Sequence, residues 1–249
     1  MFVAASSECF PELSLDGVLQ RLVDLEYTAV EIALHERGNQ LKPSAVAADL
    51  EKAIEQCRET YRLDVAAYSV DITAEGEAYY DQFTACCKLA KATKVVALVV
   101  PSGELGTPFN AEVERLRRMV SIAARDSVLV GVKTETGRMT QDPTTAQVLC
   151  DNVKGLGVTL DPSHYIYGPH GNDGYDALMK YVYHVQLRDT TKDQLQVRVG
   201  QGLVEYGRLV TQLAKVHYNR AMSVSIAEMP GVDHAGEMRK MRLLLESLL

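Results

Sequence analysis

Short runs of Val, Ile, Leu and Ala alternate along the chain with longer stretches whose apolar residues recur at helical spacing. The short runs are bounded by Gly, Pro or polar residues, a pattern typical of buried strands. Eight strands are predicted, at residues 2–6, 29–34, 64–70, 94–99, 128–134, 158–161, 183–188 and 222–227. The longer stretches predict eight helices, at residues 15–25, 43–62, 77–92, 110–124, 143–152, 175–181, 206–216 and 234–249.

This alternation favours the α/β class and one closed (β/α)8 TIM barrel, because eight strand–helix units in 249 residues match that fold in size. An open doubly wound sheet is the alternative. Such a sheet usually has a Gly-rich turn after its first strand, whereas residues 4–10 contain no glycine. We see no linker, low-complexity segment or repeat, so we expect a single domain spanning residues 1–249.

Charge and composition narrow the classes of partner. The chain has 26 basic and 33 acidic side chains, a balance that argues against a general nucleic-acid binder. Its longest apolar run, residues 95–100, is far shorter than the roughly 20 residues of a membrane-spanning helix. Five cysteines without a CxxC pair suit a reducing compartment. We therefore expect a cytoplasmic protein that binds neither nucleic acid nor membrane; the sequence leaves a homo-oligomer open.

Candidate chemistry follows from strand alternation, because every second side chain of a barrel strand faces the lumen. When the apolar set of the second strand and of the fifth to eighth strands is assigned to the helix layer, seven polar residues are predicted to face inward: Glu31, Lys133, Glu135, Asp161, His184, Gln186 and Arg188. Two interpretations remain open. Lys133 with Glu31 or Glu135, and Arg188 with Asp161, are structural ion pairs, or the groups at the strand ends form a functional site.

Several segments resemble the xylose isomerase-like barrel superfamily, specifically its sugar phosphate isomerase/epimerase group. The most specific are residues 159–164 (TLDPSH) and 184–189 (HVQLRD), the latter followed by residues 200–202 (GQG). Residues 29–32 (AVEI) and 132–136 (VKTET) match in register. The similarity runs from the first helix to the last.

The resemblance implies a divalent metal, Mn²⁺, Mg²⁺, Co²⁺ or Zn²⁺, at the barrel mouth. Glu135 and Asp161 match two family ligands, and Gln186 stands where the family has a histidine ligand. At the fourth position this chain has Ser225, with Glu228 three residues further on. Substrate-binding candidates are His164, which matches a family residue that contacts substrate or a further metal, and Arg188, Glu31 and Lys133 from the predicted lumen.

The leading hypothesis is a metal-assisted isomerase or epimerase that acts on a small carbohydrate-like substrate, a sugar or sugar phosphate, with Glu135 as the base that forms an enediolate. Arg188 and Arg198 flank the 200–202 loop, which leaves a phosphate site there open. The alternative is a divergent, non-catalytic barrel that has lost the metal, as Gln186 and Ser225 suggest, and binds a ligand or partner. A metal hydrolase of the endonuclease type is disfavoured, since it needs several histidine ligands.

Overall fold

Eight parallel strands close into a barrel in the computed structural model, which describes residues 1–171 and 174–249. The strands pair in chain order, and β8 pairs with β1. Their bounds are β1 Phe2–Ser6, β2 Ala29–His35, β3 Asp64–Asp71, β4 Ala97–Val100, β5 Leu129–Lys133, β6 Leu156–Leu160, β7 Val182–Leu187 and β8 Ala221–Val224. The predicted TIM barrel is confirmed.

Helices cover the outside of the barrel. They are α1 Leu15–Asp24, α2 Pro43–Ala48, α3 Leu50–Arg58, α4 Gly76–Ala92, α5 Phe109–Ala124, α6 Pro143–Asn152, α7 Pro162–Tyr167, α8 Tyr206–Lys215 and α9 His234–Glu246. Between β6 and β7 the predicted helix is a 3₁₀ turn, Asp176–Tyr181. Within the described ranges, no helix is both long and apolar enough to cross a bilayer.

Three boundaries differ from the sequence prediction for local reasons. Lys94 has a φ of +61° and Val95 donates to the Ala90 carbonyl, so both lie in the turn that follows α4, and β4 starts later. The predicted helix over residues 43–62 divides at Asp49, whose side chain caps the Lys52 amide of α3. Pro162 begins α7 instead of a loop, since proline at the first helical position needs no amide partner.

The lumen is filled in layers, which determines where a ligand can bind. Three buried alanines, one each from β1, β2 and β8, form a small cluster separate from the main core: Ala4, Ala29 and Ala221. Glu31 shares the face of Ala29, two residues closer to the mouth of the barrel. Small side chains therefore close the amino-terminal end, and the polar groups lie towards the carboxyl-terminal end of the strands.

Candidate functional site

A buried polar network fills the middle of the lumen. Glu31 accepts a hydrogen bond from Gln186 Nε2 at 2.5 Å, and its other oxygen lies 2.5 Å from His184 Nε2. Each of the three residues is at most 1% exposed. The predicted inward orientation of these side chains is confirmed, but Glu31 pairs with His184 and not with Lys133. Both carboxylate oxygens of Glu31 are therefore used inside the protein.

Asp161 and Arg188 form an ion pair nearer the mouth. Asp161 Oδ2 lies 3.1 Å from Arg188 Nη2 and accepts from Nε at 3.2 Å, while Oδ1 accepts from the Ser163 amide and hydroxyl. Burial tends to raise the pKa of Asp161, but the charges of Arg188 and His164 and the Ser163 hydroxyl outweigh it and lower the pKa. Asp161 is thus an ionised, fully paired carboxylate.

His164 follows Asp161 on α7 and is 4% exposed. Its Nδ1 accepts from the Thr136 amide at 3.1 Å, so Nε2 carries the proton of the neutral ring. Burial is the largest effect on the pKa of His164 and lowers it, although the charge of Asp161 acts in the opposite direction. Nε2 has no hydrogen-bond partner and lies 3.6 Å from Asp161 Oδ2. It is a buried donor without an acceptor.

A cavity of about 200 Å³ opens over the other half of the barrel mouth, at the ends of β1 to β5. Its lining residues are Glu8, His35, Ser69, Val70, Asp71, Val99, Val100, Pro101, Lys133, Glu135 and Arg138. A volume of this size can hold a small polar ligand. Of the predicted site residues, Lys133 and Glu135 line it; Glu31, Asp161, His164, Gln186 and Arg188 do not.

The two predicted residues that line the cavity differ in their contacts. Glu135 Oε2 lies 3.0 Å from Arg138 Nε, and Arg138 also donates to the Ser102 carbonyl. The Lys133 ammonium, by contrast, makes no hydrogen bond or ion pair with the residues that the structure describes. A half-buried ammonium without a partner can bind a carbonyl, carboxylate or phosphate oxygen of a ligand.

Glu8, His35 and Asp71 are the further ionisable residues of the cavity wall, and the sequence did not single out Glu8 or Asp71. Glu8 Oε1 lies 3.1 Å from His35 Nδ1, and His35 Nε2 lies 3.2 Å from Ser69 Oγ. Burial would lower the pKa of His35, but the hydrogen bond and charge of Glu8 outweigh it and raise the pKa. The position of Glu8 directly after β1, where barrel side chains reach the mouth, was the signal available in the sequence.

The expected metal ligands do not fit a divalent ion as the structure arranges them. Asp161 is held by Arg188, Glu135 contacts Arg138, and the Gln186 amide nitrogen faces Glu31. Glu228 is exposed beyond the end of β8. Across residues 1–171 and 174–249, no group of three or more His, Cys, Asp or Glu side chains could hold a metal ion.

The glycine loop after β7 does not present a phosphate cradle. The amides of Gly200 and Gly202 both donate to Asp189 Oδ2, at 2.8 and 2.9 Å. Arg198 lies 3.7 Å from Glu237. A carboxylate of the chain itself therefore fills the position in which the sequence left a phosphate site open.

Comparison with known proteins agrees with this architecture. Among solved structures, 3-keto-D-glucoside 4-epimerase from E. coli is 15% identical, with a TM-score of 0.76 over 99% of both chains. A Mycobacterium smegmatis xylose isomerase-like TIM barrel protein, in complex with magnesium, is 14% identical, with a TM-score of 0.76 over 99% of this chain and 97% of that one. D-allulose 3-epimerase from Methylomonas sp., in complex with D-allulose, is 14% identical, with a TM-score of 0.75 over 100% and 97%.

These likenesses establish the fold. No curated protein is significantly similar to the chain in sequence. A family model described as xylose isomerase-like TIM barrel matches residues 19–247. Because this match covers most of the sequence, the chain belongs to the xylose isomerase-like TIM barrel family.

Proposed function

We propose that this protein is an isomerase or epimerase that acts on a small sugar or sugar phosphate in the cavity over β1 to β5. The observation that carries the proposal is the arrangement of Glu135, Lys133 and the Glu8–His35 pair around one cavity of about 200 Å³. A carboxylate, an imidazole and an ammonium without a partner among the described residues are groups suited to proton transfer beside a carbonyl.

In the proposed reaction, the Glu135 carboxylate removes the proton from the carbon next to the substrate carbonyl. The electrons of that C–H bond form the C=C bond of an enediolate, and negative charge develops on the carbonyl oxygen. The Lys133 ammonium stabilises this charge. Return of the proton to the former carbonyl carbon, with a proton shift between the two oxygens, completes an isomerisation.

Epimerisation needs a proton from the opposite face of the enediolate. Glu135 follows β5 and His35 ends β2, with β3 and β4 between them in the sheet, so the two groups approach the cavity from different sides. The hydrogen bond and charge of Glu8 raise the pKa of His35, which favours the protonated form that a proton donor needs. His35 therefore serves as the second acid–base group in the epimerase form of the proposal.

The metal-assisted form of the hypothesis remains a separate prediction. It requires Asp161 to exchange at least one of its contacts with Arg188 for the metal ion. The mechanism without a metal leaves the Asp161–Arg188 ion pair in place. Mn²⁺, Mg²⁺, Co²⁺ or Zn²⁺ dependence of turnover distinguishes the two forms.

Proton exchange tests the proposal directly. The full chain is incubated in D₂O with D-allulose, D-tagatose or L-ribulose, or with ketose phosphates, and deuterium at the carbon beside the carbonyl is followed by NMR. We expect exchange with at least one substrate, and its loss in Glu135→Gln. Glu228→Gln is the matched control, because its exposed carboxylate lies outside the cavity. Equal exchange in Glu135→Gln and the unmodified chain contradicts the assignment of Glu135.

A second candidate function is a ligand-binding barrel without chemistry. The observation that favours it is the ion pair of Asp161 with Arg188. This pair engages the Asp161 carboxylate within the protein, in a part of the mouth where the resemblance implies a metal ligand. In the same experiment this candidate predicts chemical-shift changes on ligand addition without deuterium incorporation in any variant.

A further inference from the structure

We infer that Arg188 is a built-in cation that takes the place of a divalent metal ion at Asp161. This inference concerns the β6–β8 half of the mouth and does not depend on the function proposed for the cavity over β1 to β5. It accounts for the ion pair of Asp161 with Arg188 in a family that has a relative in complex with magnesium.

The guanidinium connects two of the strand-end positions at which the resemblance implies metal ligands. Arg188 Nε and Nη2 lie 3.2 and 3.1 Å from Asp161 Oδ2, at the end of β6. The same Nη2 donates to the Ser225 hydroxyl at 3.4 Å, just after β8. Ser225 stands at the fourth ligand position that the resemblance implies, so a neutral hydroxyl that accepts from Arg188 lies there in place of a charged ligand.

Both oxygens of the Asp161 carboxylate are engaged. The Ser163 amide and hydroxyl donate to Oδ1, Arg188 Nε donates to Oδ2, and Arg188 Nη2 lies 3.1 Å from the same oxygen. A metal ion at Asp161 therefore competes with these contacts.

The charge of this cation is permanent. An arginine side chain does not lose its proton in proteins, so Asp161 stays neutralised at every ion concentration. A buried carboxylate without a partner is strongly destabilising, and the side chain of Asp161 is fully buried. While Arg188 holds Asp161, Gln186 offers only a neutral amide oxygen, and one neutral oxygen is insufficient to hold a dication; removal of Arg188 makes the Asp161 carboxylate available beside it.

The experiment measures Mn²⁺ binding by the electron paramagnetic resonance of free Mn²⁺, together with thermal unfolding. The full chain is compared with Arg188→Ala, Arg188→Lys, Asp161→Asn and the Arg188→Ala/Asp161→Asn double variant. Arg239→Ala is the matched control, because this arginine is exposed and makes no ion pair with the described residues.

We expect the unmodified chain to bind no Mn²⁺ at this site and to unfold at the same temperature with and without millimolar Mn²⁺. Arg188→Ala should lower the Tm by roughly 10 °C, and Mn²⁺ should restore part of this loss. Arg188→Lys keeps a cation at this position. Its Tm should therefore fall less than that of Arg188→Ala and should rise less when Mn²⁺ is added. Neither the double variant nor Arg239→Ala should respond to Mn²⁺.

Two results overturn the inference. One is stoichiometric Mn²⁺ binding by the unmodified chain that Asp161→Asn abolishes. The other is an Arg188→Ala protein with an unchanged Tm and no gain in Mn²⁺ binding. If Arg188→Ala does not fold, the titrations of the unmodified chain and Asp161→Asn decide the question. Because the readouts are binding and unfolding, they are independent of whether the proposed activity is found.

Discussion

Glu8 Oε1 lies 3.1 Å from His35 Nδ1, and the two side chains line both the mouth cavity and a smaller neighbouring cavity of about 50 Å³. The pair thus forms a charged wall between two spaces at the ends of β1 and β2. The contact between Glu8 and His35 therefore affects both the shape of the proposed active site and the charge of His35, the proposed proton donor.

This pair should make stability depend on pH. The pKa of His35 is raised in the folded state. Its contribution to the free energy of unfolding is therefore fully present below pH 6.5 and is lost as the pH rises through the folded-state pKa. Burial acts to raise the pKa of Glu8, but the hydrogen bond and charge of His35 outweigh it, and the pKa is lowered. The contribution of Glu8 to the free energy of unfolding is therefore lost as the pH falls through its folded-state pKa. We therefore expect His35→Gln to lower the free energy of unfolding by about 1 kcal/mol, with the largest difference between pH 4.5 and 6.5.

Urea unfolding of the unmodified chain and His35→Gln across this pH range measures the difference. His217→Asn is the matched control, since His217 is exposed and asparagine tolerates its φ of +57°. A stability difference that stays constant with pH in His35→Gln contradicts the proposed linkage.

Removal of the Glu31 carboxylate should destabilise the barrel interior. Glu31→Ala leaves His184 and Gln186 without their buried partner, at a cost of about 3 kcal/mol, or a Tm lower by roughly 6–12 °C. Calorimetry checks this value. Glu55→Ala, an exposed position on α3, should stay within about 0.5 kcal/mol of the unmodified chain. Equal effects of the two substitutions argue against the network.

The loop after β7 should tolerate no side chain at Gly202. A Cβ there overlaps the Asp189 carboxylate and lies 2.6 Å from the Thr190 amide nitrogen. Gly202→Ala should therefore destabilise the protein by about 2 kcal/mol or more. Gly207→Ala, in the first turn of α8 with open space around it, should be neutral or stabilising. Denaturant unfolding compares the two; a harmless Gly202→Ala means that the loop is arranged differently.

All five cysteines should be unreactive in the folded protein. Burial raises the pKa of Cys57 to about 11 and that of Cys9, Cys87 and Cys150 to about 12. The thiolate is the reactive form, so a disulfide reagent should label the native chain only as fast as it unfolds. Ser247→Cys, at an exposed position, should react at once. Rapid native labelling of the unmodified chain rejects this prediction.

Sequence reasoning located the inward residues but not their partners. Glu31, His184 and Gln186 were assigned to the lumen by strand alternation, and the structure joins all three in one network. The Arg188–Asp161 ion pair was one of two open interpretations and is present. The contact of Glu135 with Arg138 was not anticipated, because Arg138 lies beyond the strand, where alternation carries no information.

The sequence by itself determined the barrel and the inward face of five of its strands, because strand period and βα alternation are local properties. Only the tertiary structure decided that the cavity lies over β1 to β5 and that Arg188 occupies the β6–β8 side. The reason is geometric. Which inward side chains meet depends on distances across the closed barrel and on side-chain conformation, and residues such as Glu8 and His35, far apart in the chain, become neighbours only when the strands pair.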